Sequence, residues 1–466
     1  MRKHTHIKRI CARGFYRDHS SEPGREELNP FSGTIPGPFM CMVKHLSLLL
    51  VLVFVMLQQH CTQPALRLGK SGEVELPELI DSPVAVPIPA LDDSRDTLAP
   101  FYRKAAALLR GTRKEPVRIA FYGDSNMTSD YISGELRRVL QKMYGDAGHG
   151  YVALGRPWSW YKHMDVRHDV DGNGWESYTV TTNQVPDGYY GFAGISAQSK
   201  YPGPLTWVET AGEDSPIGRK AGKIEVHYLT FPGNGAFRIL LNGNEWQEVD
   251  TNGESVAASV KRFTLPEDGP ARLEFRAVDR PVRLFGVVLE RDVPGFIVDS
   301  LGVGALNCMF LLTQDRAVME QALKNRNYDL ILILTGTNMW NAQLHPIWMR
   351  EVIERHRAAL PDAPIVLMSP CDWVETADNP VSHRRMIDCG LEKRQIAQDN
   401  GTAFWDFWGA QGGDGAAYRF YRVGFAQWDL VHLTQSGGAF MGRRLARALW
   451  TGLREYVAKN PDEGRL

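Results

Sequence analysis

The chain has 466 residues, of which 43% are apolar, 10% aromatic and 23% charged. That is enough apolar material for one large or two ordinary globular domains, and it excludes a disordered chain. The formal net charge of -1 gives no electrostatic case for nucleic acid or for anionic partners in general, although a local basic patch stays open.

Residues 1 to about 38 form a basic leader containing Gly and Pro, without helical or strand periodicity. Lys44 and His45 precede an apolar run from Leu46 to Leu57, shorter than the ~20 residues of a membrane span and suited to a secretory signal. Met40 or Met42 is a more ordinary start for such a signal. An uncleaved anchor, and hence a membrane tether at the N-terminus, is the alternative. Cys61 follows Gln58, Gln59 and His60, which are not the small residues of a lipoprotein signal. The expected localisation is export, to a periplasm or cell envelope. Residues 1–66 are thus assigned to leader and signal and 67–97 to a linker rich in Pro, Glu and Ser. Past the signal remain Cys308, Cys371 and Cys389; Cys371 and Cys389 could pair, but a buried free thiol is the safer expectation for each.

The first part of the main domain, residues 98–149, begins with an amphipathic helix from Leu98 to Arg110 stopped by Gly111. Val117 to Tyr122 then reads as a strand buried on both faces of a parallel sheet. Gly123 allows a sharp turn, Asp124 and Ser125 follow, and Thr128 or Ser129 is expected to cap a helix through Leu140. Ser125 therefore sits at the carboxyl edge of a strand, where open α/β sheets bind ligands. A helix cap without chemistry would look the same at this position.

A doubly wound fold should now supply its next strand. Instead residues 150–294 carry about eight short strand-like runs separated by Pro-Gly, Asn-Gly and Asp-Gly signals, among them KIEVHYLT, FRILLNG and VRLFGVVLE. This predicts an inserted β-sandwich or jelly roll, a separate module grafted onto a loop. Trp158, Trp160, Tyr161, Trp175, Tyr189 and Tyr190 could stack on sugar rings, although core packing explains any one of them as well. Asp169, Asp171 and Asn173 mimic the start of a calcium loop, but Val180 occupies its twelfth position, so an ordinary turn is expected.

Residues 295–466 resume the alternation. Strands are expected at Phe296 to Asp299, Tyr328 to Leu334, Pro364 to Met368 and Thr402 to Phe407, with helices at Thr313 to Asn325, Ala342 to Leu360, Val381 to Asp399 and Gln435 to Val457, the last capped by Thr434. Ser125, Gly304 and Asn338 each follow a separate strand and should converge on one sheet edge. Asp429 and His432 lie in a loop that can return to it.

The blocks GDSN at 123–126, DSLGVGALN at 299–307, GTN at 336–338 and DLVHLT at 429–434 together resemble the SGNH branch of the GDSL hydrolases. The resemblance covers the chain outside the leader and the insertion. It implies a flavodoxin-like three-layer α/β fold, with Ser125 as nucleophile, His432 as base and Asp429 as its partner. The oxyanion hole would comprise the Ser125 and Gly304 N–H groups and the Asn338 amide, with Gly302 the less favoured register for the glycine. No metal or cofactor is implied. Asn126 stands where leucine or histidine is common, and Met339 where an acid is frequent. A narrower resemblance, on the position of the insertion and on the GDSNM and GRPWSWY neighbourhoods, points to peptidoglycan O-acetylesterases, in which a carbohydrate-binding jelly roll interrupts the hydrolase domain. It implies hydrolysis of O-acetyl esters on a cell-wall or other acetylated polysaccharide. O-acyl transfer, lipase or thioesterase action, and a non-catalytic polysaccharide binder are the alternatives.

Overall fold

The structure is a computed structural model that describes residues 86–461. The leader, the signal segment, Cys61 and the first part of the linker lie outside the described residues. Among the described residues no helix is long and apolar enough to cross a membrane.

The helix α1 (Ala99–Leu109) leads into β1 (Val117–Gly123), a 3-10 turn at Ser125–Met127, and α2 (Tyr131–Tyr144). Eleven mostly antiparallel strands follow. They are β2 (Gly150–Ala153), β3 (Val166–Val170), β4 (Trp175–Thr179), β5 (Ile195–Ser199), β6 (Leu205–Thr210), β7 (Ala221–Thr230) and β8 (Ala236–Leu241), then β9 (Asn244–Asp250), β10 (Ala257–Gly269), β11 (Arg272–Ala277) and β12 (Arg283–Glu290). The chain then returns through β13 (Phe296–Gly302), α3 (Cys308–Leu312), α4 (Arg316–Arg326), β14 (Leu330–Leu334), α5 (His345–Ala359) and β15 (Ile365–Met368). A hairpin of β16 (Val374–Thr376) and β17 (Asn379–Ser382), α6 (Arg384–Asn400), β18 (Ala403–Trp405), α7 (Phe407–Gln411), α8 (Ala416–Arg422) and α9 (Gln435–Lys459) complete it.

Five strands form one parallel sheet in the order β13-β1-β14-β15-β18. Counted within the sheet this is the order 2-1-3-4-5 of a doubly wound fold, in which the chain reverses its winding direction at β1. Its strands are mostly apolar because both faces are covered. Ile119, Phe121, Leu332 and Met368 pack into one core with residues of α1, α2 and α9. Ala120, Tyr122, Ile331 and Leu367 pack into another with residues of α4, α5 and α6.

The insertion forms two antiparallel sheets, one of β10-β7-β12-β5-β4 with β2 beside β12, the other of β3-β6-β11-β8-β9. Facing residues such as Ile224 and Val287 on the first and Phe237 and Leu273 on the second share one apolar core. The first sheet is covered on its other face as well. Tyr151, Phe192, Phe285 and Val288 belong to the same core as Tyr122 and Ile331 of the parallel sheet. The insertion is therefore continuous with the main core, unlike a module on a loop. A buried ionic group reinforces the junction. Asp299 of β13 accepts from Arg326 Nε at 2.6 Å, Tyr328 Oη at 2.7 Å and the Tyr151 amide at 2.9 Å. Arg326 also pairs with Glu290 of β12, which holds Arg118 of β1 at 2.7 Å. Every polar group in this cluster has a partner, the condition under which buried charge is tolerated.

Residues 86–97, expected as linker, lie along the sheet edge. Asp92 and Phe404 exchange main-chain hydrogen bonds of 2.8 and 2.9 Å, and Trp405 Nε1 donates to Pro89 O at 3.0 Å. Cys308, Cys371 and Cys389 are free and buried. The Asp169–Asn173 stretch is an ordinary turn, with Asp171 accepting from the Asn173 amide and Asp169 paired with Arg156.

Candidate active site

The site is built on glycines at the carboxyl ends of β1 and β13. A Cβ on Gly123 would come within 2.0 Å of the Met127 side chain, and one on Gly302 within 2.5 Å of the Met127 main chain. Both lack side chains because the turn carrying Ser125 folds back over them. Asp124 starts this turn. It is buried and accepts from the Asn126 amide at 3.2 Å; burial pushes its pKa up. The expected caps Thr128 and Ser129 do not cap α2, whose first turn follows Asp130 in a left-handed conformation with φ +56°. Thr128 instead donates its hydroxyl to Ser125 O at 2.8 Å, bracing the turn.

His432 and Asp429 approach from the loop before α9, and Thr434 caps that helix as expected, accepting from the Gly437 amide. His432 Nε2 lies 2.8 Å from Ser125 Oγ, and Nδ1 lies 2.7 Å from Asp429 Oδ2. A carboxylate can only accept, so Nδ1 carries the proton and Nε2 is left to take the one from the serine hydroxyl. The other Asp429 oxygen accepts the main-chain amides of Val431 and His432 at 3.2 and 3.0 Å. Hydrogen bonding to Asp429 raises the His432 pKa above the ordinary imidazole value against the opposing effect of burial. Burial raises the Asp429 pKa, but hydrogen bonds from His432 outweigh it and the net shift is downward.

Asn338 follows β14, the strand beside β1, in the crevice where doubly wound sheets place their ligands. Gly336 makes the intervening turn with φ +126°, a conformation closed to other residues, and a Cβ there would meet Cys389 Sγ at 2.8 Å. The Asn338 Nδ2 atom is shielded from solvent and has no hydrogen-bond partner. Such a donor costs stability unless something binds it. Gly304 lies beyond the end of β13, whereas Gly302 is within the strand opposite Gly123. The Gly304 carbonyl accepts from Thr181 Oγ1 of the insertion at 2.8 Å, and Trp158 lies so close that a Cβ on Gly304 would be 3.0 Å from its ring. The structure thus brings Ser125, His432 and Asp429 into one hydrogen-bonded chain, with the Asn338 loop beside it.

Several supporting residues escape the sequence reading. Asn126, noted only as a departure from pattern, donates Nδ2 to Val431 O at 3.2 Å and accepts the Leu433 amide at 2.8 Å. Asn307 caps α3 and donates to Asn338 O at 3.1 Å, tying the loops after β13 and β14 together. Lys393, fully buried in α6, donates to the Met368 carbonyl at 2.8 Å and to the Thr335 carbonyl, gathering the ends of β15 and β14. A lysine on the inner face of a predicted helix is the only sequence signal for it. Of the aromatic residues singled out in the insertion, Tyr161, Trp175 and Tyr190 are buried in cores, whereas Trp160 is 59% exposed.

Among the described residues, Asp130, His149 and His163 offer ligand atoms within 4.8 Å of one another. Arg137 already donates to both Asp130 oxygens, at 2.8 and 3.2 Å, joined by Ser133 and the Met164 amide. A guanidinium occupies the position a cation's charge would take.

No protein-family model matches the sequence, and no curated protein matches it. Among solved structures the chain is similar to one described as a peptidoglycan O-acetylesterase in action, at 23% identity over 78% of this chain and 99% of that one, with a TM-score of 0.65. A family two carbohydrate esterase from Cellvibrio japonicus matches at 11% identity, 66% and 98% coverage and a TM-score of 0.25. A salicylyl-acyltransferase from a tetracycline biosynthetic pathway matches at 15%, 64% and 96%, and 0.26. The first likeness shows that the fold is shared along nearly the whole of that chain. The other two carry no weight at such TM-scores.

Proposed function

We propose that this chain is a serine esterase of the SGNH branch of the GDSL hydrolases, acting on O-acetyl esters of a cell-envelope carbohydrate, with peptidoglycan as the substrate class. The observation that carries the chemistry is the chain Asp429–His432–Ser125 beside an amide donor, Asn338 Nδ2, that nothing in the protein satisfies. The peptidoglycan assignment is supported by the fold shared with the O-acetylesterase and by exposed tryptophans on the loops of the site. Trp428 beside Asp429 is 81% exposed, Trp340 beside Asn338 69%. The two antiparallel sheets are read in the same way as a jelly-roll sandwich that adds Trp158 and Trp160 at the margin.

In this mechanism His432 Nε2 takes the Ser125 proton as Oγ attacks the acetyl carbonyl. Asp429 holds the imidazole tautomer and stabilises the imidazolium. The Asn338 amide and the main-chain N–H groups of Ser125 and Gly304 receive the oxyanion. His432 passes that proton to the departing sugar oxygen, which leaves as the free hydroxyl, then activates the water that releases acetate. The chain would be exported to act on this substrate.

The test is acetate release from O-acetylated peptidoglycan, acetylated xylan and small aryl acetates. Wild type is expected to release acetate, with peptidoglycan preferred, and Ser125→Ala to lose about 10⁴- to 10⁶-fold in turnover while keeping its fold. Near-normal turnover in Ser125→Ala overturns the nucleophile. Acetate release only when a second sugar accepts the acyl group would make the protein a transferase.

A further inference from the structure

Beside the Asn338 loop lies a cation with aromatic walls and, among the described residues, no carboxylate in ion-pair contact. Arg385, near the start of α6, has its guanidinium carbon 3.0 Å from the Trp340 ring centroid and 5.5 Å from that of Trp373. Nη2 donates to the Thr337 carbonyl at 3.3 Å, one residue before Asn338. Nε is shielded from solvent and has no hydrogen-bond partner. The neighbouring carboxylate of Glu375 is instead 3.1 Å from His383 Nε2, and the His383 ring stacks on Trp373 with centroids 4.6 Å apart.

Three other arginines set into this fold are paired with acids: Arg137 with Asp130, Arg326 with Asp299 and Glu290, and Arg138 with Asp165. Arg444, which stacks on Phe440 and donates to the Val86 and Pro87 carbonyls away from the site, is held without one, so it is the position of Arg385 beside the Asn338 loop that sets Arg385 apart. Taking a guanidinium partly out of water without a counter-charge is unfavourable, and burial does pull the Arg385 pKa down from its ordinary value. Stacking on tryptophan offsets part of that cost and fixes the plane of the guanidinium. It adds no counter-charge; Glu375, whose field reaches Arg385, is engaged by His383, and the planar donor fork is suited to a carboxylate. Trp340, at 69% exposure, lies beside it as a flat apolar surface of the kind that stacks on a pyranose ring.

Building on the esterase reading above, we propose that Arg385, framed by Trp340 and Trp373, is an anion subsite that receives a carboxylate borne by the sugar at or next to the acetylated position. The substrate class is then narrowed to acidic glycan esters. Two sources supply such a group: the lactyl ether of a muramic-type sugar with its acid free, and a uronic acid.

The experiment compares acetylated glycan strands bearing the free lactyl acid, the same strands with that acid methyl-esterified, acetylated mannuronate oligomers, and neutral acetylated xylo-oligosaccharides. Wild type is expected to favour one of the two acidic substrates, which identifies the source. Arg385→Met should raise KM for that substrate about 10- to 100-fold, the scale of a charge-assisted bidentate contact, and should cost the neutral ester clearly less in kcat/KM. Arg385→Lys should recover part of the loss. Equal losses on acidic and neutral esters would instead make Arg385 a support for the Thr337 carbonyl and overturn the subsite, as would a wild type that favours neither acidic substrate over its neutral counterparts, the methyl ester and the xylo-oligosaccharide. Binding to Ser125→Ala by calorimetry gives a readout independent of turnover: tighter binding of the preferred acidic glycan than of its neutral counterpart is expected, with the difference lost in the Ser125→Ala, Arg385→Met double variant. Failure of the esterase reading would appear separately, as no acetate from aryl acetate.

Discussion

The side chain of Asn126 grips the main chain on both sides of His432, donating to Val431 O and accepting from the Leu433 amide. The residue after Ser125 thus sets where the His432 ring stands, across 306 positions of sequence between Asn126 and His432. Asn126→Leu removes both contacts and leaves the Leu433 amide unsatisfied. It is expected to lower kcat by about 10- to 100-fold with KM little changed, because a base displaced by about 1 Å costs on that scale. Steady-state kinetics on an aryl acetate check it, and Asn126→Asp, which retains the acceptor, should lose less.

Asn338→Ala removes the unpartnered donor. Turnover should fall about 10²- to 10³-fold while thermal stability stays level or rises, since a buried unsatisfied group is removed with it. A change confined to KM would assign Asn338 to ground-state binding.

The pH dependence follows from the Asp429–His432 contact. The raised His432 pKa means that the free base is depleted below a midpoint lying above the usual ~6.5, so kcat/KM should climb with pH through that midpoint. In Asp429→Asn the hydrogen bond that raises it is lost. The acid limb should move to lower pH, and the plateau should fall by about 10⁴ as the tautomer is no longer fixed. A pH–rate profile on an aryl acetate reads both.

Beneath the Ser125 turn, burial lowers the pKa of His163 to about 4 and of His168 to about 3, and Arg137 stands nearby. Both rings are neutral in the folded chain at pH values where the unfolded chain binds protons. Stability should therefore be complete above about pH 6.5 and fall as pH drops from there towards 4. Urea midpoints measured between pH 7 and 4 check this, and His163→Gln should flatten the slope.

Much of the parallel sheet was legible because its strands announce themselves. Leu330–Leu334 is an unbroken apolar run, and Val117–Gly123 and Phe296–Gly302 each end in a glycine that the Ser125 turn requires. Helix starts were less legible. Val381 was assigned to a helix but lies in the β16–β17 hairpin, and α6 begins at Arg384, because a two-strand ribbon of seven residues leaves no periodicity to read. The residues of the Ser125–His432–Asp429 chain were legible from motif spacing. The supports contributed by Asn126, Asn307 and Lys393 were not, since each contact depends on side-chain placement that spacing does not encode. One missed signal was present: RLFGVVLE in β12 is apolar on both faces, as a strand must be when covered on each side, and it is buried nearly throughout.

That strand also decides how this protein can be taken apart. Excising residues 150–294 would strip Tyr151, Phe192, Phe285 and Val288 from the layer they share with Tyr122 and Ile331, and would leave Arg118, Asp299 and Arg326 without Glu290. The remnant would expose an apolar wall and an unbalanced charge cluster on the parallel sheet. Such a fragment is expected to fold poorly on its own, so the protein is best probed whole, one side chain at a time.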